Sequence, residues 1–245
     1  MILVLGGTGE ARELADALDK DGIAVLSSLA GRVSNPRLPR GEVRVGGFGG
    51  PEAFAGWLRE HRIAAVIDAT HPFAARISAS AAQACPAAGV PLLRLERPGW
   101  AERPGDQWRW VPDLADAAAA IPSLGRRVLL TTGRQGLAAF AGVTEAWFLI
   151  RCVEPPDPPL PAGHELLLDR GPYTLAGELQ LIDLHSIDLV VTKDSGGGLT
   201  EAKLDAARER RLPVIVVRRP ARPALGTVHT VAEALTWTRD HAGAG

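Results

Sequence analysis

Four consecutive apolar residues, Ile2–Leu5, run straight into Gly-Gly-Thr-Gly and then into a helical pattern with apolar positions at 11, 14, 15 and 18. A short run that is apolar at every position is buried on both faces, which is the condition of a central parallel strand. A parallel strand must be followed by a crossover, and the periodicity supplies one as a helix over residues 8–20, ended by Gly22. The unit then repeats. Residues 23–27 and 43–45 read as strands, and GGFGGPEAF leads into a helix from Pro51 to about His61, proline being suited to a first helical turn. Residues 63–68 predict a strand, 74–88 a helix and 91–95 another strand. This alternation predicts an α/β fold with a doubly wound parallel sheet.

The pattern restarts after residues 97–110, a stretch rich in Pro, Gly and Trp that reads as a loop and a boundary. Helices are expected over 114–120, 134–141, 175–184, 199–211 and 231–241, and strands over 128–131, 146–151, 187–192 and 214–217. PPDPPLPAG (155–163) cannot be regular structure. The 245 residues thus divide into two β/α sheets in series, residues 1–100 and 101–245, each long enough to bury a core.

Composition narrows the function classes. The net charge of −1 lacks the basic excess of a nucleic-acid binder. Lysine stands only at 20, 193 and 203, so nearly all positive charge is arginine, the better residue for bidentate grip on carboxylate or phosphate. Cys85 and Cys152 are far apart, and the six histidines show no ligand spacing, so neither a disulfide nor a metal site is expected. No apolar run reaches the roughly 18 residues of a membrane span, and the chain opens on a strand without a basic leader. A cytoplasmic protein, monomeric and without membrane or nucleic-acid partners, is the expectation.

Five stretches carry the chemistry. GGTGEAR (6–12) lies between a strand and a helix, where backbone N–H groups and the helix N-terminus hold phosphate. It follows GxGxxG at Gly7 and Gly9, but Arg12 stands in place of the last glycine. Gly6, Gly7, Thr8, Gly9 and Glu10 are the cofactor candidates here. Arg12 in a first helical turn opposes the helix dipole unless an anion is near, which makes it a candidate for a substrate carboxylate. The second strand ends in Ser27-Ser28 with Arg32 beyond, and no acid stands there to accept from a ribose 2′-hydroxyl. Ser28 and Arg32 suit a 2′-phosphate, hence NADPH rather than NADH. DATHPFA (68–74) places Thr70 and His71 at a strand end, His71 as a candidate proton or hydrogen-bond donor, with Arg76 just beyond. TTGRQGL (131–137) contributes Thr132, Gly133 and Arg134. KDSGGGLTEAK (193–203) contributes Lys193, Asp194, Ser195 and Gly196. The Walker spacing GxxxxGK[ST] does not occur, and Tyr173, the only tyrosine, has Gly177 where a short-chain reductase carries lysine.

Taken in order, GGTGEAR, SLAGR with VGGFGG, DATHPFA, TTGRQGL and KDSGGGLTEAK resemble the precorrin-6A reductases of cobalamin biosynthesis, over about residues 2–218. The resemblance implies two Rossmann-like domains with an active-site cleft between them, and allows a strand exchanged across the linker. It implies NADPH-dependent reduction of one double bond of a polyanionic tetrapyrrole, precorrin-6A to precorrin-6B. A cobalt-bearing substrate is the alternative, and a non-catalytic NADPH-binding sensor or a reductase of a smaller anion stands outside the family. On this reading His71 and Lys193 lie near the reacting face. Arg12, Arg76, Thr132, Gly133, Arg134, Asp194, Ser195 and Gly196 face the substrate. Gly6, Gly7, Thr8, Gly9, Glu10, Ser28, Arg32 and Thr70 face the cofactor.

Overall fold

The computed structural model of the chain describes residues 1–31 and 38–242. It forms two compact units: Met1–Pro98 joined by the chain from Ala221 onward, and Gly99–Pro220. The first unit holds β1 (Ile2–Leu5), α1 (Gly9–Lys20), β2 (Val25–Leu29), β3 (Glu42–Val45), α2 (Pro51–Glu60), β4 (Ala65–Asp68), α3 (Ala75–Ala88) and β5 (Leu92–Leu95). The second holds β6 (Gln107–Val111), α4 (Leu114–Ala120), β7 (Arg127–Leu130), β8 (Trp147–Cys152), β9 (His164–Leu168), α5 (Leu175–Leu184), β10 (Leu189–Lys193), α6 (Ala202–Glu209) and β11 (Pro213–Val217). β12 (Thr227–Val228) and α7 (Val231–Ala242) return to the first.

Each unit contains a six-stranded sheet, ordered β12-β5-β4-β1-β2-β3 in the first and β6-β11-β10-β7-β8-β9 in the second. Every neighbouring pair is parallel. Both orders are the 3-2-1-4-5-6 of the dinucleotide-binding fold. In the first sheet the sixth place goes to β12, the last strand of the chain. In the second it goes to β6, which precedes the other five. The sixth strands are therefore exchanged along the sequence.

The cores follow from residue alternation. Ile2 and Val4 of β1 face one layer with Leu14, Leu18 and Ile67. Leu3 and Leu5 face the other with Phe54, Leu58 and Ala81. Both faces of the strand are thus covered, as its unbroken apolar run requires. In the second unit Leu129, Leu149, Val190, Val214 and Val216 pack with Ile182, Leu204 and Trp100.

The structure departs from the sequence expectations at four places, one of them β9, a strand where none was expected. The residues from Ala221 onward belong to the first unit rather than to a block 101–245. The unpaired edge of β5 draws them there: the Arg94 N–H donates to the Gly226 carbonyl at 2.8 Å and the Glu96 N–H to that of Val228 at 2.9 Å. The Trp-rich stretch expected as loop contains β6, with Trp108 and Trp110 more covered than Gln107 and Arg109 on alternate positions. Residues 134–141 form no α-helix, only a 3-10 turn over Leu137–Phe140. Gly136 precedes that turn at φ 84°, and a Cβ there would lie 2.3 Å from Leu114 Cδ1.

Candidate active site at the strand ends

In each sheet the strand order reverses between two central strands, and ligands of doubly wound folds sit beyond the carboxyl ends of such a pair. In the first unit the pair is β1 and β4, which places GGTG beside DATH. Thr8 joins the two loops. Its hydroxyl donates to the Ala69 carbonyl at 2.8 Å and accepts the N–H of Ala11 at 3.1 Å, capping α1. Gly7 adopts φ 113°, with no atom within 4 Å of where a Cβ would stand. The turn thus leaves open space beside the helix N-terminus, a cradle that fits a phosphate. A Cβ built on Gly6 would stand 3.2 Å from Leu29 Cδ2 and 3.7 Å from the buried Ala11 Cβ, so the turn packs against both β2 and α1. Arg12 is half-buried on the next position and makes no ion pair among the described residues. The carboxylate of Glu10 receives Arg97 Nη1 at 2.7 Å.

His71 is half-buried past the end of β4, and its Nδ1 accepts the N–H of Phe73 at 3.2 Å. An acceptor at Nδ1 places the proton of a neutral imidazole on Nε2. Thr70 is buried, with Oγ1 donating to Asp68 Oδ1 at 2.6 Å. Arg76 is exposed in the first turn of α3.

The end of β2 carries a cation that the sequence did not single out. Arg32 lies outside the described residues. Ser28 is paired in register with Arg44 of β3, and Arg44 Nη1 donates to Ser28 Oγ at 2.7 Å and to the Gly46 carbonyl at 3.1 Å, Nη2 to that of Gly47 at 3.0 Å. Its guanidinium lies 3.9 Å over Phe48, which stacks on Phe54 at 3.8 Å. Burial draws the Arg44 pKa down, and no carboxylate neutralises it among the described residues. The signal in the sequence was its period-2 place in EVRV; what hid it was that β3's register against Ser28 cannot be read locally.

Asp68, the acid of DATHPFA, is fully buried and committed elsewhere. Arg222 Nη2 reaches Asp68 Oδ2 at 2.9 Å, while Nη1 reaches Glu96 Oε2 at 2.7 Å. Arg222 Nη2 also donates to Ser78 Oγ. This clamp holds the returning segment against β4 and β5.

In the second unit the reversal lies between β7 and β10, which brings TTGR beside KDSGG. Thr132 is buried, and its Oγ1 has no hydrogen-bond partner among the described residues. Gly133 adopts φ 76° with open space at its Cβ position. Arg134 Nη1 lies 3.7 Å from Glu154 Oε2. Lys193 ends β10 half-buried, and burial lowers its pKa. Ser195 is half-buried and Gly196 is buried at φ 65°. The carboxylate of Asp194, a substrate candidate, accepts the Trp100 N–H at 3.0 Å and pairs with Arg219 Nε at 3.2 Å. An acid so engaged anchors its loop.

A family profile described as "Precorrin-6x reductase CbiJ/CobK" matches residues 1–239. The precorrin-6A reductase of Rhodococcus erythropolis is 55% identical over 238 residues, covering 96% of each chain. The cobalt-precorrin-6A reductase of Salmonella typhimurium is 32% identical over 231 residues, covering 89% of this chain and 87% of its own. A solved structure titled "CobK precorrin-6A reductase" superposes with a TM-score of 0.93 at 43% identity, over 98% of this chain and 96% of that one. With both sheets, both glycine turns and nearly the whole length accounted for, the chain belongs to the precorrin-6x reductase CbiJ/CobK family.

Proposed function

We propose that this protein reduces a double bond of precorrin-6A, giving precorrin-6B, with NADPH as the hydride source. The family supplies the reaction class. The observation that carries the choice of cofactor is the end of β2, where Ser28 and Arg44 meet and no acid pairs with the guanidinium among the described residues. A carboxylate there would accept from an NAD ribose; a hydroxyl beside an unneutralised guanidinium suits a phosphate.

When bound, the nicotinamide supplies the hydride. The residues do the rest. The N–H groups of Gly7, Gly9 and the first turn of α1 would hold the pyrophosphate, in the space that Gly7 leaves open. Ser28 and Arg44 would take the 2′-phosphate. Thr70 is the remaining cofactor candidate from the β4 loop. Thr132, whose buried hydroxyl lacks a partner, would bond a substrate carboxylate together with the backbone of Gly133, Ser195 and Gly196. Arg134 would add charge to that grip, and Arg12 and Arg76 are the first unit's own candidates for a substrate carboxylate. His71, with Nδ1 engaged, is set to donate from Nε2 and is the candidate proton source. Lys193, its charge disfavoured by burial, is the second candidate. The metal-free macrocycle is favoured over the cobalt form by 55% identity to a relative named for the former against 32% for one named for the latter.

The test is loss of reduced-nicotinamide absorbance when purified protein meets precorrin-6A, with NADH and cobalt-loaded substrate in parallel. Oxidation of NADPH with the metal-free macrocycle is expected. Consumption only with the cobalt form moves the protein to the cobalt-dependent reaction. Binding of NADPH without consumption favours a sensor and overturns the reductase.

A further inference from the structure

The KDSGGG loop has an unusual problem. Three consecutive glycines, two of them in the left-handed region at φ 65° and 71° (Gly196 and Gly197), give it little packing of its own and much conformational freedom. A loop meant to present backbone groups to a ligand cannot remain so free without losing affinity to ordering.

Trp100 and Lys203 meet this need from either side. Trp100 donates its backbone N–H to Asp194 Oδ1 at 3.0 Å, at the start of the loop, and its indole Nε1–H to the Gly197 carbonyl at 3.1 Å, in the middle. Lys203 Nζ donates to the Thr200 carbonyl at the end, and lies 4.5 Å from the centroid of the Trp100 ring. Trp100 is itself fixed in the core with Leu129, Val190 and Leu204. Lys203 is only 2% exposed. Burying an ammonium is costly, and an apolar side chain of similar length would fill the space without that cost. The nearby charges do not explain it away: Glu178 is already paired with Arg151 at 2.6 and 3.2 Å, and Glu201 receives Arg103. The two groups that Lys203 does engage both belong to the loop or to its staple.

We propose that Trp100 and Lys203 are positioning residues for substrate, pinning the 194–200 loop at three points so that its backbone is set to receive a carboxylate of the macrocycle. This rests on the reductase reading for the identity of the ligand, but not for the pinning itself.

The experiment compares wild type, Trp100→Phe and Lys203→Met in two arms. Trp100→Phe removes the indole donor and keeps a ring in the core. Lys203→Met removes the Nζ donor and keeps the chain length. In the substrate-free protein, hydrogen exchange across residues 194–200 should quicken by about tenfold in each variant, the loss expected for one hydrogen bond. The rates in β8, β10 and α5 should stay at wild-type values. In turnover, KM for precorrin-6A should rise about tenfold while kcat and KM for NADPH change by less than about twofold. Unchanged loop exchange in both variants overturns the pinning. So does faster exchange spread evenly through the second unit, which would mark Trp100 and Lys203 as core packing only. Faster loop exchange with an unchanged macrocycle KM overturns the link to substrate. If the wild type fails to reduce precorrin-6A, the reductase reading fails by itself, and the exchange arm still decides the pinning. Should Lys203→Met not fold, Trp100→Phe carries both arms.

Discussion

A guanidinium has five N–H donors, and three of those of Arg44 are spent on Ser28 Oγ and the carbonyls of Gly46 and Gly47. With its plane laid over Phe48, the group is held before any ligand arrives, so little ordering cost falls on binding. The donors left over, and the net charge, are available to a phosphate. Arg44→Ala should therefore raise KM for NADPH by about ten- to a hundredfold and leave KM for NADH nearly unchanged, because only the 2′-phosphate is lost from the comparison. Steady-state kinetics with the two cofactors checks it, and an equal loss with both would assign Arg44 to the loop's structure instead. Lys203 makes a different kind of prediction. Burial, with the Arg151 charge adding to it, draws its pKa down to about 7 from 10.5. Below pH 7 the ammonium is present in both native and unfolded chains, and the native state bears the burial cost. Between about pH 7 and 10.5 the native residue is neutral while the unfolded one is still charged, so the unfolded chain binds more protons and this residue makes stability rise with pH. Lys203→Met should remove that rise, read as a flatter plot of urea midpoint against pH over this window. An identical slope in the variant would show that Lys203 does not titrate there.

At the scale of elements, the β1–α1 unit shows why part of the molecule could be read from the chain alone. Everything that specifies it is local: four apolar residues, a turn needing glycine at Gly7, and Thr8 three residues before the N–H it caps. Thr8 also ties this turn to the Ala69 carbonyl, 61 residues away. Thr8→Ala should lower unfolding free energy by about 1–2 kcal/mol through loss of the cap and raise KM for NADPH. Thr8→Ser, which keeps the hydroxyl, should restore most of both; denaturant unfolding with cofactor titration measures them together. The elements missed were those whose cause is not local. β12 has two residues and exists because β5 offers a free edge. β6 hides its alternation between Pro104 and Pro112, and forms because β11 lies beside it. Residues 134–141 carry a helical pattern, yet Gly136 is held against Leu114 in a conformation that stops a helix. The same division runs through the site. The glycine and threonine turns announce themselves, whereas Arg44, Trp100 and Lys203 gain meaning only from partners in other elements.

At the scale of the whole molecule, the chain passes from the first unit to the second and back, and the return passage is latched on either side of its Pro220–Ala221 boundary by an acid at or just past a central strand end. Asp68, at the end of β4, receives Arg222; Asp194, just past β10, receives Arg219. The partners lie 154 and 25 residues apart, so neither pairing could be inferred from spacing. The Arg222 clamp is the more consequential because every group in it is largely buried, down to 0% exposure for Asp68. An ion pair in that setting contributes little over an apolar replacement of both partners, but removing one partner strands the other's charge. Arg222→Met leaves Asp68 its hydrogen bonds from Thr70 but, among the described residues, no cation nearer than Arg94 Nε at 3.9 Å, beyond hydrogen-bond reach. The expected cost is about 3–5 kcal/mol, borne by the first unit, where the segment from Ala221 onward would detach from β5. Calorimetry should show a lowered transition, and hydrogen exchange should rise at β5 and α7 before it rises at β7 or β10. Adding Asp68→Asn to Arg222→Met should recover part of the loss by removing the stranded charge. No recovery in the double variant would mean that the clamp acts through its bonds to Glu96 and Ser78 rather than through Asp68, and that the acid of DATHPFA is held for the site rather than for the crossing.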